Sequence, residues 1–322
     1  MYDNISLYLD SKDVNNINLY DEVMQNADNL TVEKYGLKPN DVPFAYISIE
    51  GKNKQKLSFK VEPYRISMMG KNSSVCKYYL GNNFDTLTLL EFNNAIDEIS
   101  ERLGVCLNNA RACRIDIATN FIMKYTPSTY HECLKHLSRY KRYALNGNLY
   151  FKTTKIELNF YDKKKEYREK GFKIPTKHQD IENILRYEIR FKSGVSKIFG
   201  RTIRIKDLRS EIFLKEAFDK WQNYYWNIDK QNPVIFESEN KTFSAKDFKD
   251  YFFTKGVEAS GGIEYAYKMI DESKNAKNFP RQKAYYFKKM LNDAYENSNN
   301  TSKYDFTGEL NSKMQSMSIP IK

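Results

Sequence analysis

Tyr161 closes an alternating segment, Ile156–Tyr161, and stands two residues ahead of the lysine run Lys163–Lys165. A phenol held among ammonium groups can attack the phosphorus of a phosphodiester and keep the cut strand covalently. Two other segments set acids among arginines. Arg114 and Asp116 lie within 113–121, and Arg186, Glu188 and Arg190 within 184–192. Carboxylates offer hard oxygen ligands to Mg²⁺ or Mn²⁺, which polarise a scissile phosphate. Arginines grip neighbouring phosphates. The chemistry these residues suit is metal-assisted cleavage of a nucleic-acid strand.

Three strands must position these groups. Residues two apart in a strand share a face. Cys113, Ile115, Ile117, Thr119 and Phe121 form one face, and Arg114, Asp116, Ala118 and Asn120 the other. In 185–192 the apolar set is Leu185, Tyr187, Ile189 and Phe191; the polar set is Arg186, Glu188, Arg190 and Lys192. Ile156, Leu158 and Phe160 oppose Glu157, Asn159 and Tyr161. If the strands pair in one sheet, Asp116 and Glu188 bind the metal and Tyr161 meets them on the wet side. A helix starting after Tyr161 brings Lys164 and Lys165 beside it, to lower its pKa or neutralise the leaving oxygen.

Each segment has a plainer description. Alternating acids and arginines mark many solvated sheet faces laced with ion pairs. One strand-end tyrosine among 25 is ordinary by itself, and a lysine run is usually a solvated helix face. The stripe Phe218, Trp221, Tyr224 and Tyr225 reads as helix packing before base stacking. His131, His136 and His178 form no HxH or HxxxH pair.

Charge narrows the choice. Residues 141–210 hold 19 basic and 8 acidic residues, as much net charge as the +11 of the whole 322-residue chain. Residues 1–50 hold 3 basic and 9 acidic ones. A concentrated positive field is the footprint of a polyanion. No basic amphipathic helix with an aromatic face points to a membrane. Cys76, Cys106, Cys113 and Cys133 form no CxxC pair and read as reduced thiols of a cytoplasmic protein. The start, MYDNISLYLD, is polar and acidic, unlike a secretory signal.

Pattern predicts strands at 44–50 and 57–64, and a helix capped by Asp85 and ended by Gly104. A strand at 113–121 and a helix from Ser128 follow. A turn at Asn146-Gly147-Asn148 leads into one long or bulged strand, 149–161. The lysine-rich helix and a strand at 184–192 complete the set. The expectation is an α+β fold with a mostly antiparallel sheet in a first domain, 1–206. A helical accessory domain, 207–322, follows, with the linker KQNPVIFESEN inside it and a poorly ordered polar tail from NSNNTSKYDF onward.

Four motifs in order resemble the replication initiators of filamentous phages, the gene II/gene X type of rolling-circle nickase. Ser74-Val-Cys-Lys77-Tyr-Tyr-Leu-Gly81-Asn82-Asn83 is similar to that family's S-x-x-K-x-x-x-G-H-N segment, with Asn82 where the family often has His. Arg114-Ile-Asp116 resembles its R-I-D strand. Tyr161, in NFYDKKKEY, falls on its nucleophile, with Lys163 on a lysine two positions later. Leu185–Lys192 resembles V-R-F-E-x-R-x-K. The likeness spans roughly residues 55–290. It implies a ferredoxin-like nickase that cuts one strand at a replication origin through a 5′-phosphotyrosine and later rejoins it. The implied partners are single-stranded or hairpin origin DNA and host helicase or replication proteins, in a bacterial cytoplasm. Lys77, Asn82, Asn83, Arg114, Arg186, Arg190 and Lys192 are the expected DNA contacts, and Tyr161 with Lys163, Lys164 and Lys165 the catalytic set. The wider superfamily's His-hydrophobe-His metal site is missing, so Asp116 and Glu188 are taken as ligands on strand-face logic alone. A conjugative relaxase, or a non-catalytic DNA-binding regulator, are the alternatives. Tyr167 is the next tyrosine to test.

Overall fold

Period-two apolar patterns build most of this protein's first 200 residues. The structure, a computed structural model, describes residues 1–68, 70, 72–232, 244–299 and 304–321. Its strands are β1 (Tyr2–Asp10), β2 (Thr31–Lys38), β3 (Val42–Glu50), β4 (Lys56–Glu62), β5 (Arg65–Met68), β6 (Arg111–Met123), β7 (Leu134–His136), β8 (Lys141–Leu145), β9 (Asn148–Lys152), β10 (Ile156–Asp162), β11 (Asn183–Phe191) and β12 (Asp229–Lys230). Its helices are α1 (Leu19–Gln25), α2 (Val75–Leu80), α3 (Leu89–Leu103), α4 (Pro127–Cys133), α5 (Lys163–Glu169), α6 (Val195–Ile198), α7 (Ile205–Leu208), α8 (Glu211–Trp226), α9 (Ala245–Ala259), α10 (Gly262–Asn275), α11 (Arg281–Asn299) and α12 (Phe306–Gln315).

Ten strands form one sheet in the order β2-β3-β4-β5-β1-β6-β11-β10-β9-β8, every neighbour antiparallel. β5 and β6 both run against β1, so they are parallel to each other with β1 inserted between them. β6 and β10 flank β11 in the same way. Inserted strands of this kind are the split βαβ device of ferredoxin-like folds. The fold is α+β, a large antiparallel sheet followed by a helical region.

One sheet face is the core. Leu158, Phe160, Ile115, Ile117, Phe121, Tyr187, Ile189 and Phe191 are all buried on it. Phe160 stacks on Tyr187 at 4.5 Å, and Tyr187 lies 4.8 Å from Trp221 of α8. The Tyr187 hydroxyl donates to the Trp221 carbonyl at 3.0 Å. Burying each such ring contributes about 2–3 kcal/mol. The aromatic stripe of α8 is therefore core packing.

That packing corrects the expected boundary at 206/207. The chain divides into one unit of Met1–Gln231 with Leu310–Lys322, and a second of Asn232–Glu309. α8 stays with the sheet because its apolar face has no other partner of comparable size. The second unit is helical by itself: Ser244 and Asp247 cap α9 reciprocally, and Lys288 of α11 pairs with Asp271 of α10 at 2.7 Å. The expected poorly ordered tail is also corrected. Residues 300–303 lie outside the described set, but Leu310 and Met314 are buried and Asn311 accepts from Tyr225 at 2.6 Å. The expected linker lies outside the described residues from Pro233 onward.

Other details differ locally. Residues 149–161 make two strands, because Thr153 turns the chain and accepts from Ile156 N at 3.0 Å. Thr88, not Asp85, caps α3, through a reciprocal pair with Glu91. β1 and β2 are additional to the expected strands, although Ile5, Leu7 and Leu9 alternate. No described helix is long and apolar enough to cross a membrane.

Candidate active site

Register brings the chemistry-bearing strands side by side on the other sheet face. Tyr161 lies opposite Arg186, which lies opposite Asn120. One row on, Asn159, Glu188 and Ala118 align; the next row is Glu157, Arg190 and Asp116. The Tyr161 hydroxyl donates to Glu188 Oε2 at 3.3 Å. Arg190 Nε donates to Glu188 Oε1 at 2.7 Å, and Arg186 Nε sits 3.9 Å from Oε2. Tyr161, Asp116 and Glu188 therefore share one face, with the two acids on a diagonal.

The expected wet side is dry. Asp116 is fully buried, Glu188 is 2% exposed and Tyr161 5% exposed. Two devices close it. The first is a β-bulge in β1 between Tyr2 and Ile5. A bulge re-aims side chains. Here the successive residues Asp3 and Asn4 both serve this face: Asp3 pairs with Arg186, and Asn4 donates to Asp116 at 3.1 Å.

The second device is the turn after α2. Ser74 caps α2 by accepting from Lys77 N, and its hydroxyl donates to Asp3 Oδ1 at 2.6 Å. Gly81 ends the helix at φ +78°, where a side chain would strain the backbone and strike Asn53. Asn82 Oδ1 then accepts from Phe84 N and Asp85 N, a turn that lays Asn83 over the sheet. The Asn83 carbonyl accepts from Arg186 at 2.9 Å and Asn120 at 3.1 Å. Its side-chain oxygen accepts from Lys163 at 2.7 Å and the Tyr167 hydroxyl at 3.2 Å.

α5 supplies Lys163 because Asp162 caps it, accepting from Lys165 N at 2.9 Å. Lys163, at the first helical position, turns back into the site and donates to Glu166 at 2.8 Å. Its ammonium lies 5.8 Å from the Tyr161 ring centre and 4.6 Å from that of Tyr167. Lys164 and Lys165 do not join it. Lys164 donates to the carbonyls of Gln179 and Ile181, and Lys165 is exposed beside Glu169.

Burial dominates the electrostatics. It pushes the Tyr161 phenol well above its usual pKa, with Arg186 pulling down and Glu188 pushing up. That corrects the expectation of a phenol acidified by Lys164 and Lys165. Burial and Arg186 bring Lys163 down to about 7 against the pull of Glu166. Asp116 is pushed up to about 7 by burial, opposed by Arg114. On Glu188 burial also pushes up, but Arg190 and Arg186 outweigh it and hold the group below the usual range.

The expected DNA contacts divide into two sets. Arg186 and Asn83 are buried in the network above. Arg114 spends its fork on Asp116 at 2.8 and 2.6 Å, while Arg190 and Lys192 both reach Glu157, at 2.8 and 3.0 Å. Lys77 is half-buried, and Asn82 braces its own turn. Asp3 and Asn4 join the site without having been singled out by sequence pattern, while Asn120 and Asn159 are placed on the polar faces by alternation but given no role there. Asn159 Oδ1 is buried beside Glu188 with no hydrogen-bond partner. Alternation could have exposed β1; the bulge that turns Asp3 and Asn4 together leaves no sequence signal.

The acids do not fit Mg²⁺ or Mn²⁺ as folded. Both Asp116 oxygens are held by Arg114, and Glu188 is held by Arg190 and Tyr161. Among the described residues no group of three or more His, Cys, Asp or Glu is placed to hold a metal. A divalent cation here would meet a guanidinium already on each carboxylate.

Comparison with curated proteins gives no match. Residues 1–211 match the family described as the N-terminal part of the replication-associated gene II protein of phages, and the chain belongs to that family. The match supports a filamentous-phage gene II-type replication initiator. It includes β1, ahead of the motifs quoted above, and ends at the first residue of α8.

Proposed function

We propose that this replication-associated protein nicks one strand of origin DNA with Tyr161 as nucleophile. The phenolic oxygen attacks phosphorus, the P–O3′ bond breaks, and a 5′-phosphotyrosine and a free 3′-hydroxyl form. The phenol proton passes to Glu188, whose Oε2 already accepts it, and the departing 3′ oxygen takes a proton from the Lys163 ammonium. Rejoining reverses these transfers. Arg186 and Lys163 are the cations that meet the phosphate.

The observation that carries this reading is the Tyr161–Glu188 hydrogen bond inside a pocket of buried cations. The Asn83 oxygens held by Arg186, Asn120 and Lys163 occupy the kind of position a phosphate's oxygens require. An entering strand would displace that turn and uncover Tyr161. No step is assigned to a divalent cation.

The burial of Tyr161 favours one second reading, a replication regulator that binds DNA without cutting it. The test is incubation of the full chain with labelled single-stranded origin DNA, then denaturing electrophoresis. A protein–DNA band that survives denaturation supports the nickase. Binding without such a band supports the regulator.

A further inference from the structure

A cavity of about 390 Å³ opens beside this site, between the turn after α2 and the segment after α5. Tyr167 forms its inner wall and Phe172 its outer one, with ring centres 5.6 Å apart. Lys77, Lys173, Gln55 and Asn82 are among the other lining residues. Small-ligand sites begin at about 300 Å³.

The cations around it differ from those in the site. Arg114, Arg186, Arg190, Lys192 and Lys163 are each paired with a carboxylate. Lys77 and Lys173 have no carboxylate within ion-pair distance among the described residues, although the Lys77 charge is near enough to help hold the Asp3 carboxyl down. Lys77 instead lies 5.8 Å from the centre of the Phe172 ring, which is 44% exposed. Two uncommitted ammoniums, an exposed aromatic ring and side-chain amides in one cavity match a nucleotide: phosphate on the lysines, base on the ring, base edge on the amides. The cavity is coupled to the candidate nucleophile. Tyr167 and Lys163 share Asn83 Oδ1, and Lys163 borders the Tyr161 ring.

We propose that this cavity receives one nucleotide of the substrate strand, neighbouring the scissile phosphate, with its base against Phe172 and its phosphate on Lys77 and Lys173. The proposal deepens the nickase reading and rests on it for the neighbouring phosphate, but the cavity's affinity for single-stranded DNA is measured separately.

The probe is a dT₁₆ strand bound to the full chain in EDTA, followed by anisotropy across a salt series. Phe172→Ala is expected to weaken binding at least about 5-fold, the low end of one lost base–aromatic stack. Lys77→Ala with Lys173→Ala should lower the slope of log affinity against log salt by about 1.4, two single-strand phosphate contacts. Tyr143→Ala, on the edge strand β8 and outside the cavity lining, is the control and should change neither. Photocrosslinking with 5-bromouracil in the strand should label the peptide holding Tyr167 and Phe172. Unchanged affinity in Phe172→Ala, an unchanged salt slope, or crosslinks confined elsewhere would each overturn the proposal. The covalent-adduct gel keeps the two readings apart. Adducts with no Phe172 effect sink only the cavity, and a Phe172 effect without adducts sinks only the nickase.

Discussion

The hydroxyl of Tyr161 meets Glu188 Oε2 at 3.3 Å across the β10–β11 pair, on a diagonal of the ladder, since Tyr161 itself faces Arg186. Two neighbouring strands thus give the phenol an acceptor for its proton and a cation beside its ring. Neither residue has that environment on its own strand.

Tyr161→Phe removes the oxygen and leaves the ring in place. Lost stability should be about 1 kcal/mol, the net worth of one hydrogen bond. Covalent DNA adducts are expected to vanish while strand affinity stays within about 2-fold. A surviving adduct in this variant would assign the nucleophile elsewhere, with Tyr167→Phe the next variant to run.

Asp3 and Arg186 form a buried ion pair between β1 and β11. Burial pushes the Asp3 carboxyl up, but Arg186, the Ser74 hydroxyl, Lys77 and Lys163 outweigh it and hold it well below the usual range. Asp3→Ala leaves the guanidinium buried without its partner, which costs about 3–5 kcal/mol. Urea unfolding measures this. A loss under about 1 kcal/mol would mean Arg186 finds another partner or water.

Lys163 ties stability to pH. Its folded pKa is about 7 and its ordinary value is 10.5, so between these limits the unfolded chain binds more protons at this position. Stability from this group is therefore lost as pH falls toward 7 and gained as pH rises toward 10, by at most about 1.4 kcal/mol per unit. Lys163→Met should flatten that rise between about pH 7 and 9, read by urea midpoints. Equal slopes in both proteins would show that Lys163 stays charged when folded.

Arg114 already occupies both oxygens of Asp116. Burial pushes the Asp116 carboxyl up to about 7, so its ionisation costs the fold stability as pH rises from about 4 to 7; Asp116→Asn should remove that loss, read by urea midpoints across this range. If cleavage responds to added Mn²⁺, the concentration giving half-maximal activity should shift less than about 2-fold. A tenfold rise would restore Asp116 as a metal ligand.

The sequence by itself determined the strands that carry the chemistry. Alternation in 113–121 and 184–192 survived folding because both faces of those strands are buried in complementary environments, one apolar and one ionic. The gene II-type motifs likewise fixed the family. Ser74, Gly81 and Asn82 are legible as a cap, a left-handed stop and a turn, all local backbone needs.

Tertiary structure alone decided whether the polar face is wet or dry. Alternation shows that Arg186, Glu188 and Asp116 leave the apolar core, but not that β1 and the Asn83 turn close over them. The β1 bulge is a register event between strands more than 100 residues apart, so no local pattern encodes it. Choosing Lys163 over Lys164 and Lys165 depended on where the helix begins, a phase set by the Asp162 cap. Assigning α8 to the sheet depended on which surface its rings could bury. In each case the deciding energy is desolvation against a distant partner, and a linear pattern does not carry that information.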